Sequence, residues 1–319
     1  YVYGFGIFIL IVLYFSPEKI AREINGAKSW FTLDEFGIPC SLQPSEFTKI
    51  AFIVFLAAIV SKHKEKYKDS SLRSDMFLLG KLLLATFLPF VLVFIQPDLG
   101  TSLVFLFIAG VVIILSGINW KLIGALIATG LSVAAGLIAM IIYFPDLSQQ
   151  IGIKPYQMNR VLTWFDPTLQ SNDTFHIDRS LLAVGSGQLT GKGMSSLQVH
   201  LPEAHTDFIF SVIGESFGFI GAAAVIFLYF MLFYKLVTLG LKIYQHSVFG
   251  AFICFGFMSV LLIHTFQNIG MTIGIMPITG IPLLLISYGG SSILSTMTGY
   301  ALVYRVAVEL SIQNDYLFK

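Results

Sequence analysis

The residues best suited to chemistry in this sequence lie in the segment HLPEAHTDFIFSVIGE, 200–215. It begins with two histidines, Glu203 and Asp207, and then runs directly into an apolar stretch that contains Glu215. A carboxylate at the boundary between water and hydrocarbon is partly desolvated, which raises its pKa toward the range useful for a general base. The pattern therefore indicates Asp207 as a catalytic base. Glu215, eight residues further along the same predicted helix, is expected to fix a neighbouring helix by hydrogen bonding.

Two other interpretations of this segment stay open. A zinc site would use four of its side chains, namely His200, Glu203, His205 and Asp207. The spacing resembles the metalloprotease pattern H-x-x-E-H but has one residue too many, and Pro202 breaks the helix that would align the ligands. Alternatively, Thr206 or Asp207 caps the N-terminus of the following helix, where oxygen side chains and negative charge are favourable.

Three more ionisable residues lie in or beside apolar segments. In QPSEFTK, 43–49, Glu46 and Lys49 are three residues apart on one helix face and can pair. Ionisable groups are costly in hydrocarbon and usually face a bundle interior or an aqueous cavity, so the pair either fastens two helices or lines a polar cavity. Asp98 follows in QPDLGTS, 96–102, which leaves no room for a real loop between two spans. Asp98 is thus either a cavity residue or a turn and helix cap.

The last two apolar segments carry unusual polarity. HTFQNIG, 264–270, contains Gln267 and Asn268, and SYGGSS, 287–292, contains Ser287 followed by a pair of glycines, Gly289 and Gly290. Small residues permit close helix packing in membranes, which accounts for the glycines and serines. Packing accounts less well for the two amides, which indicates a polar site nearby.

The composition determines which elements must position these residues. The chain of 319 residues is 56% hydrophobic and only 12% charged, with a mean hydropathy of +0.82, whereas a soluble domain carries about 25% charged residues. It is therefore predicted to be an all-α polytopic membrane protein. The net charge of +1 gives no reason to expect a nucleic-acid partner. Because the sequence opens inside an apolar run without Met, we expect an upstream piece to be missing.

Hydropathy predicts about eight transmembrane helices in one domain covering residues 1–319. The predicted spans are 1–15, 44–60, 77–95, 100–118, 121–144, 208–235, 249–270 and 282–308. The most basic loop, 61–75, is expected to face the cytoplasm. Alternation then places the long loop of about 145–207 outside, and with it the start of the span that follows Asp207. A loop of that length is usually functional or disordered, and the aromatic residues of this one indicate order.

Six segments, taken in order, resemble the SEDS family of shape, elongation, division and sporulation proteins. They are NGAKSWF, QPSEFTKI, QPDLGTS, AVGSGQLTGKG, LPEAHTDFIFSVIGESFGFIG and NIGMTIGIMPITGIPLLLISYGGSS, and they extend over nearly the whole chain. IGESFGFIG and GIPLLLISYGGSS are more similar to the RodA branch of low-GC Gram-positive bacteria than to the FtsW branch. The resemblance implies a SEDS-type helical bundle. The family has ten spans, so the first two are expected to be absent here.

The resemblance also implies the activity, a peptidoglycan glycosyltransferase that polymerises lipid II for cell elongation and rod shape. The essential aspartate of the family corresponds to Asp207, its loop tryptophan to Trp30, and its cavity Glu and Lys to Glu46 and Lys49. Such a transfer inverts the sugar linkage and needs one carboxylate base, while the departing pyrophosphate needs its charge neutralised. Arg160 and Lys49 are candidate cations. The sequence requires no cofactor, and a divalent cation, Mg²⁺ or Mn²⁺, is an alternative means of neutralisation.

The substrate is expected to contact eight side chains around the base: Trp30, Glu46, Lys49, Asp98, Arg160, His205, Gln267 and Ser287. Glu215, Asn268, Gly289 and Gly290 are expected to support them. The resemblance further implies a bacterial plasma-membrane protein whose active site faces outside. Its implied partners are a class B penicillin-binding protein, bound through transmembrane helices, and other elongation-complex membrane proteins. A lipid II flippase and a non-catalytic scaffold remain alternatives, since intramembrane charges suit a transporter equally well.

Overall fold

The structure, a computed structural model, is almost entirely helical. It describes residues 1–22, 27–32, 41–67, 71–150, 153, 155–165 and 172–317. Its helices are α1 (Val2–Phe15), α2 (Pro44–Lys66), α3 (Leu72–Ile95), α4 (Leu99–Leu115), α5 (Trp120–Tyr143), α6 (Pro145–Gln150), α7 (Pro155–Phe165), α8 (Asn172–Ser186), α9 (Ile209–Tyr244), α10 (Val248–Thr272) and α11 (Gly290–Leu317). Two short antiparallel strands, β1 (Phe31–Thr32) and β2 (Ser41–Leu42), pair Phe31 with Leu42.

The protein is an all-α polytopic membrane protein, as predicted. Each predicted span overlaps one helix, and five helices are long and apolar enough to cross a bilayer: α2, α3, α5, α9 and α10. α1 and α4 are apolar but shorter, with 14 and 17 residues. α2 begins at Pro44, because the fixed φ of proline suits a first helical turn.

Two predicted boundaries are wrong. The last span was expected from residue 282, but α11 begins at Gly290 and residues 282–289 form turns. The backbone there is held by polar contacts outside any helix, starting with the amide of Leu283, which donates to Ser287 Oγ at 2.8 Å. Asp207 was placed on the same helix as Glu215, but it lies in a turn and α9 begins at Ile209.

The long loop of about 145–207 contains three helices, α6, α7 and α8, followed by a short 3-10 turn at Met194–Ser196. The expectation of an ordered loop is thus confirmed over its described residues, although the helices themselves were not predicted. These helices have 6, 11 and 15 residues, shorter than a membrane span, and they mix polar with apolar residues, so hydropathy gives no signal for them.

The chain divides into two compact units. Unit 1 comprises Tyr1–Asn119, Phe230–Ile263 and Gly289–Lys319, and unit 2 comprises Trp120–Tyr229 and His264–Tyr288. The interior of unit 1 is built from large apolar side chains of α2, α4 and α10, including Phe52, Phe105 and Phe252. The single domain over residues 1–319 stays a prediction.

α9 is kinked at Gly218, and the loop after α8 covers the kink. Gly218 has φ +63° and ψ −161°, which interrupts the helical hydrogen bonds. The freed amides of Phe219 and Ile220 donate to the carbonyls of Gln188 and Leu189 at 2.8 and 3.2 Å. Gly191 permits this approach, because a Cβ there would lie 2.2 Å from the Ser216 carbonyl oxygen. The kink is therefore a docking point for the loop that leads toward Asp207.

Candidate active site

Asp207 lies in a tight turn just before α9. The turn is closed by two backbone hydrogen bonds, in which the amides of Thr206 and Phe208 donate to the Glu203 carbonyl at 3.2 and 3.3 Å. Next to Asp207, the buried ring of Phe208 joins an apolar cluster with Ala183, Leu201, Met271 and Ile278. Burial of Phe208 and Leu201 on either side of the turn fixes where Asp207 can lie.

Three consecutive carbonyls of this turn accept hydrogen bonds from the 268–288 region. The His205 carbonyl accepts from the Tyr288 amide at 2.9 Å. The Thr206 carbonyl accepts from Ser287 Oγ at 2.6 Å, and the Asp207 carbonyl accepts from Asn268 Nδ2 at 2.8 Å. Both side-chain donors are buried, so each bond replaces solvation that the turn has lost. The polarity of the last two apolar segments thus serves to hold the backbone of Asp207.

The Asp207 carboxylate differs from the backbone of its turn in its hydrogen bonding. The side chain is partly exposed, and among the described residues no hydrogen-bond donor reaches either carboxylate oxygen. The pKa of Asp207 is raised from 3.8 to about 6. Burial is the largest cause and the negative charge of Glu203 adds to it, while Arg160 and His205 act in the opposite direction. The backbone of Asp207 is held in place while its carboxylate oxygens accept no hydrogen bond from a described residue. With a pKa near neutral pH, such a carboxylate is suited to accept a proton.

Two of the predicted substrate-binding residues lie near Asp207. Arg160, on α7, is half-buried, and its charge reaches Asp207. His205 belongs to the turn itself, is exposed, and its ring meets that of Tyr288 edge to face with centroids 5.9 Å apart. Their contacts with a substrate stay a prediction.

Gln267 and Ser287, also predicted to bind substrate, have their polar atoms engaged within unit 2. Gln267 Nε2 donates to the Pro277 carbonyl at 2.9 Å. Ser287 Oγ both donates to Thr206 and accepts from Leu283. Asn268, the residue after Gln267 in α10, also donates to the Ile281 carbonyl at 2.9 Å. These contacts fasten the 277–287 loop beside the Asp207 turn, and the substrate-binding role of Gln267 and Ser287 stays a prediction.

Glu215 holds a loop by hydrogen bonds. Its Oε1 accepts from Lys192 Nζ at 3.1 Å and from the amides of Gln198 and Val199 at 2.9 and 3.3 Å. The Glu215 side chain is 2% exposed. Sequence analysis expected a supporting contact with a neighbouring helix, and the contact is instead with the segment that leads from α8 to Asp207. Lys192 was missed, because an ion pair between residues 23 positions apart leaves no signal in helical spacing.

In unit 1 the predicted pair of Glu46 and Lys49 is confirmed. Lys49 Nζ donates to Glu46 Oε1 at 2.7 Å, and the two side chains are 2% and 5% exposed. Ser295 on α11 donates to Glu46 Oε2 at 3.3 Å. The pair therefore connects α2 with α11, which is a fastening role, and its lining of a substrate cavity stays a prediction.

Asp98 is the N-cap of α4. Its Oδ1 accepts from the Thr101 amide at 3.0 Å, and its Oδ2 accepts from Thr101 Oγ1 at 2.9 Å and Gln43 Nε2 at 3.2 Å. Gln43, the N-cap of α2, also donates its amide to Ser291 Oγ at 3.0 Å. The first turns of α2, α4 and α11 are thus joined in one polar cluster within unit 1. The cap interpretation of Asp98 is confirmed, and its substrate contact stays a prediction.

The remaining predicted residues of unit 1 are Trp30, Gly289 and Gly290. Trp30 is half-buried just before β1. The expected close helix packing is not seen at either glycine among the described atoms. A Cβ on Gly290 would meet nothing within 4 Å, and one on Gly289 would meet only Ser292. Both glycines instead mark where the chain leaves the turn and starts α11.

The side chains that could ligate a metal ion are not clustered in the described residues. The described part of the chain contains no group of three or more His, Cys, Asp or Glu side chains placed to hold a metal ion. The zinc alternative built on His200, Glu203, His205 and Asp207 therefore has no assembled site. A divalent cation shared with substrate phosphates needs fewer protein ligands and stays a prediction.

The fold and this site define a class, namely a polytopic helical membrane protein with a carboxylate of raised pKa in a hydrogen-bonded turn before a long helix. Residues 1–312 match the family model of the FtsW, RodA and SpoVE cell cycle proteins. The chain belongs to this family. The peptidoglycan glycosyltransferase RodA of Treponema pallidum is 32% identical over 94% of this chain and 81% of its own length. The peptidoglycan glycosyltransferase MrdB of Escherichia coli K12 is 34% identical over 93% and 75%.

Solved structures agree with this assignment. A chain of a peptidoglycan synthase complex, described for its coordination of polymerization and crosslinking, matches with a TM-score of 0.75 and 29% identity. The match covers 97% of this chain and 80% of that one. The rod shape determining protein RodA of Thermus thermophilus matches with a TM-score of 0.61 and 27% identity, over 95% and 75% of the two chains.

Proposed function

We propose that this protein is a peptidoglycan glycosyltransferase that polymerises lipid II into glycan strands, with Asp207 as the general base. The named activity of the RodA and MrdB relatives, at 32% and 34% identity over more than nine-tenths of this chain, supports the reaction class. The further assignments to lipid II, to an inverting transfer and to Asp207 rest on the sequence resemblance and on the chemistry of the Asp207 turn.

One observation carries the assignment of the base. Asp207 is held by its main chain through a turn whose three carbonyls are all bonded, yet its carboxylate accepts no hydrogen bond from a described residue. A general base must lie within hydrogen-bond reach of the proton that it removes, and must not already be occupied. A pKa of about 6 leaves Asp207 mostly ionised at neutral pH while keeping it a better base than an ordinary carboxylate.

The proposed step forms one C–O bond, breaks another and transfers one proton. The acceptor sugar hydroxyl attacks the anomeric carbon of the donor while its proton passes to an Asp207 carboxylate oxygen. The bond from that carbon to the pyrophosphate oxygen breaks, and its electron pair leaves with the pyrophosphate. The donor's α linkage becomes β, as one displacement requires. General-base assistance of this kind contributes about 10²–10⁴-fold to the rate.

The departing pyrophosphate needs positive charge rather than a proton. Arg160 supplies a guanidinium near Asp207 in unit 2, and Lys49 supplies a buried ammonium in unit 1. We assign Arg160 to the phosphates of the lipid-linked substrates, and the role of Lys49 as a second cation stays a prediction. A divalent cation would supply the same neutralisation when bound. Activity that persists in chelator, and falls on substitution of Arg160, would support the cations of the protein itself.

Location and partner follow from the family. We assign the Asp207 turn to the outer face of the plasma membrane, since the basic 61–75 segment marks the cytoplasmic side. A class B penicillin-binding protein, contacted through transmembrane helices, is the proposed partner. The peptidoglycan synthase complex to which this chain is similar supports a synthase assembly of that kind.

The test is polymerisation of purified lipid II, with and without the partner transpeptidase. The wild type is expected to make glycan chains, and Asp207→Asn to make about 10²–10⁴-fold less. Asp178→Asn is the matched control, because it removes an exposed carboxylate on α8 in the same unit and should keep full activity. Folding of each variant is checked by size exclusion and thermal unfolding in detergent.

The same proteins separate the alternatives. A flippase would move labelled lipid II between leaflets without forming polymer. A scaffold would leave polymerisation absent in the wild type and cell shape intact in Asp207→Asn cells. Full polymerisation by folded Asp207→Asn would exclude Asp207 as the base while leaving the glycosyltransferase class in place.

A further inference from the structure

Gly280 is the residue of the 277–281 loop that faces the Asp207 carboxylate. A Cβ built on Gly280 would lie 3.4 Å from Asp207 Oδ2, and Oδ2 is the nearest heavy atom that it would meet. The Gly280 backbone has φ +71°, in the left-handed region that side chains other than those of Asn and Asp rarely adopt. The backbone conformation therefore favours glycine, and a Cβ at this point would be in van der Waals contact with Oδ2.

The distance between Gly280 and Asp207 is set by a shared donor. Asn268 Nδ2 donates to the Asp207 carbonyl at 2.8 Å and to the Ile281 carbonyl at 2.9 Å, so one buried amide group bridges the turn and the loop. Gln267 holds the other end of the loop through Pro277. The bare backbone of Gly280 is thereby kept close to Oδ2 rather than being near it by chance.

We propose that Gly280 is a positioning residue for the base, acting with Asn268 to keep the Oδ2 side of Asp207 open to the acceptor hydroxyl. This inference rests on the proposed function of Asp207. A hydroxyl must approach an accepting oxygen to about 2.6–3.2 Å. A methyl group in van der Waals contact with Oδ2 would occupy part of that approach and would remove water from the oxygen.

Among the described residues, the ionisable groups that act on Asp207 are Glu203 and His205 of its own turn and Arg160 of α7. The 277–281 loop, with the sequence PITGI, adds no ionisable side chain. A methyl at Gly280 therefore changes desolvation without changing the charges around Asp207. Because burial already raises the pKa of Asp207, added burial should raise it further.

Gly274 offers a matched control in the same stretch of chain. Its φ of +74° is nearly that of Gly280, so Gly→Ala imposes similar backbone strain at both positions. A Cβ on Gly274 would meet only Leu181 and Ile177 side chains, at 3.7–3.9 Å. The difference between Gly280→Ala and Gly274→Ala therefore isolates the effect of a methyl beside the carboxylate.

The experiment measures lipid II polymerisation between pH 5 and 8 for the wild type, Gly280→Ala, Gly274→Ala and Asp207→Asn. We expect Gly280→Ala to lower kcat at least about tenfold with KM within about threefold, and to move the acid limb of the profile upward by about half a pH unit. Gly274→Ala should leave kcat and the acid limb as in the wild type at a similar loss of thermal stability.

Equal kcat and equal acid limbs in the two alanine variants would overturn the inference about Gly280. If Asp207→Asn remains active, the proposed base is overturned instead. Should Gly280→Ala fail to fold, Gly280→Asn replaces it, since Asn tolerates left-handed φ. Its longer side chain should lower kcat at least as far as Ala. A folded, fully active Gly280→Asn would also overturn the inference.

Discussion

Asp98 and Asp207 both precede a helix, α4 and α9 respectively, and different parts of the two residues are held by hydrogen bonds. At Asp98 the side chain is bound, with both carboxylate oxygens accepting hydrogen bonds from Thr101 and Gln43. At Asp207 the main chain is bound, through its carbonyl and the two carbonyls before it. Glu215 is of the Asp98 type, since one of its oxygens accepts from three donors.

The difference separates a carboxylate used for structure from one whose oxygens are free to act. Burial raises the pKa of Asp98 even though the Thr101 hydrogen bonds oppose this, so the contrast lies in whether the carboxylate oxygens are already bonded. A carboxylate positioned by its backbone needs none of its own lone pairs to stay in place. The two aspartates can therefore be compared directly, and each substitution below tests one side of that comparison.

The largest expected effect is a difference in kcat between substitutions of Asp207 and Asp98. Asp207→Asn should lower kcat for polymerisation by about 10²–10⁴-fold, because it removes the proton acceptor. Asp98→Asn should lower kcat by less than about tenfold, because Asn also caps helices well. Single-turnover and steady-state polymerisation of lipid II measure both. Equal losses of kcat in the two variants would remove the distinction.

The Glu46–Lys49 pair should show the largest effect on stability. Glu46→Gln removes the carboxylate partner of a buried ammonium, and breaking a buried pair in this way costs about 3–5 kcal/mol. The double variant Glu46→Gln/Lys49→Met should recover much of that loss, since no buried charge remains. Thermal unfolding in detergent measures the stability of both.

Activity of the same double variant decides what the pair does. If the pair only fastens α2 to α11, the stable double variant should polymerise lipid II normally. If Lys49 also neutralises substrate phosphates, the double variant should be folded and impaired. A single Glu46→Gln variant as stable as the wild type would contradict the fastening role.

Ionisation of Asp207 should act against the stability of the fold. Its pKa is raised from 3.8 to about 6 in the folded protein, so the stability associated with its proton is complete below pH 3.8 and is lost as the pH rises through 6. At 1.36 kcal/mol per pH unit, the loss is at most about 3 kcal/mol. Asp207→Asn should therefore unfold at a higher temperature than the wild type at pH 8, and the gap should shrink toward pH 4. A gap independent of pH would contradict the raised pKa.

The smallest expected effect is the cap itself. Asp98→Ala should lower the free energy of unfolding by about 1 kcal/mol, the usual cost of losing an N-cap side chain. Asp98→Asn should lower it less, because the amide oxygen still accepts from Thr101. Denaturant unfolding of the two variants in detergent makes the comparison, and equal losses would show that the cap contributes little.

Local signals in the sequence predicted much of this arrangement. The apolar runs located the spans, Pro44 located the start of α2, and the three-residue spacing of Glu46 and Lys49 predicted their ion pair. Each of these features depends on residues within a few positions of one another. Asp207 could be singled out because a charge stands directly before an apolar helix.

Features that depend on distant pairing could not be predicted in this way. The Asp207 turn is held by Asn268 and Ser287, 61 and 81 residues away from the carbonyls that they bind. Ser287 was expected to bind substrate and Asn268 to support the site, but the sequence named no partner for either. The start of α11 at Gly290 was missed for the same reason, because residues 282–289 are apolar enough for a span but bind the turn instead. The role of Gly280 becomes visible only when its loop lies beside Oδ2.

The pH dependence of polymerisation tests the central contrast most directly, because the acid limb caused by a general base disappears when that base is replaced. For the wild type, kcat/KM with lipid II should rise as the pH passes about 6 and then level off, in line with the raised pKa of Asp207. Asp98→Asn should keep that limb, and the residual activity of Asp207→Asn should lack it. A flat wild-type profile between pH 5 and 8, or the same limb in Asp207→Asn, would contradict Asp207 as the base.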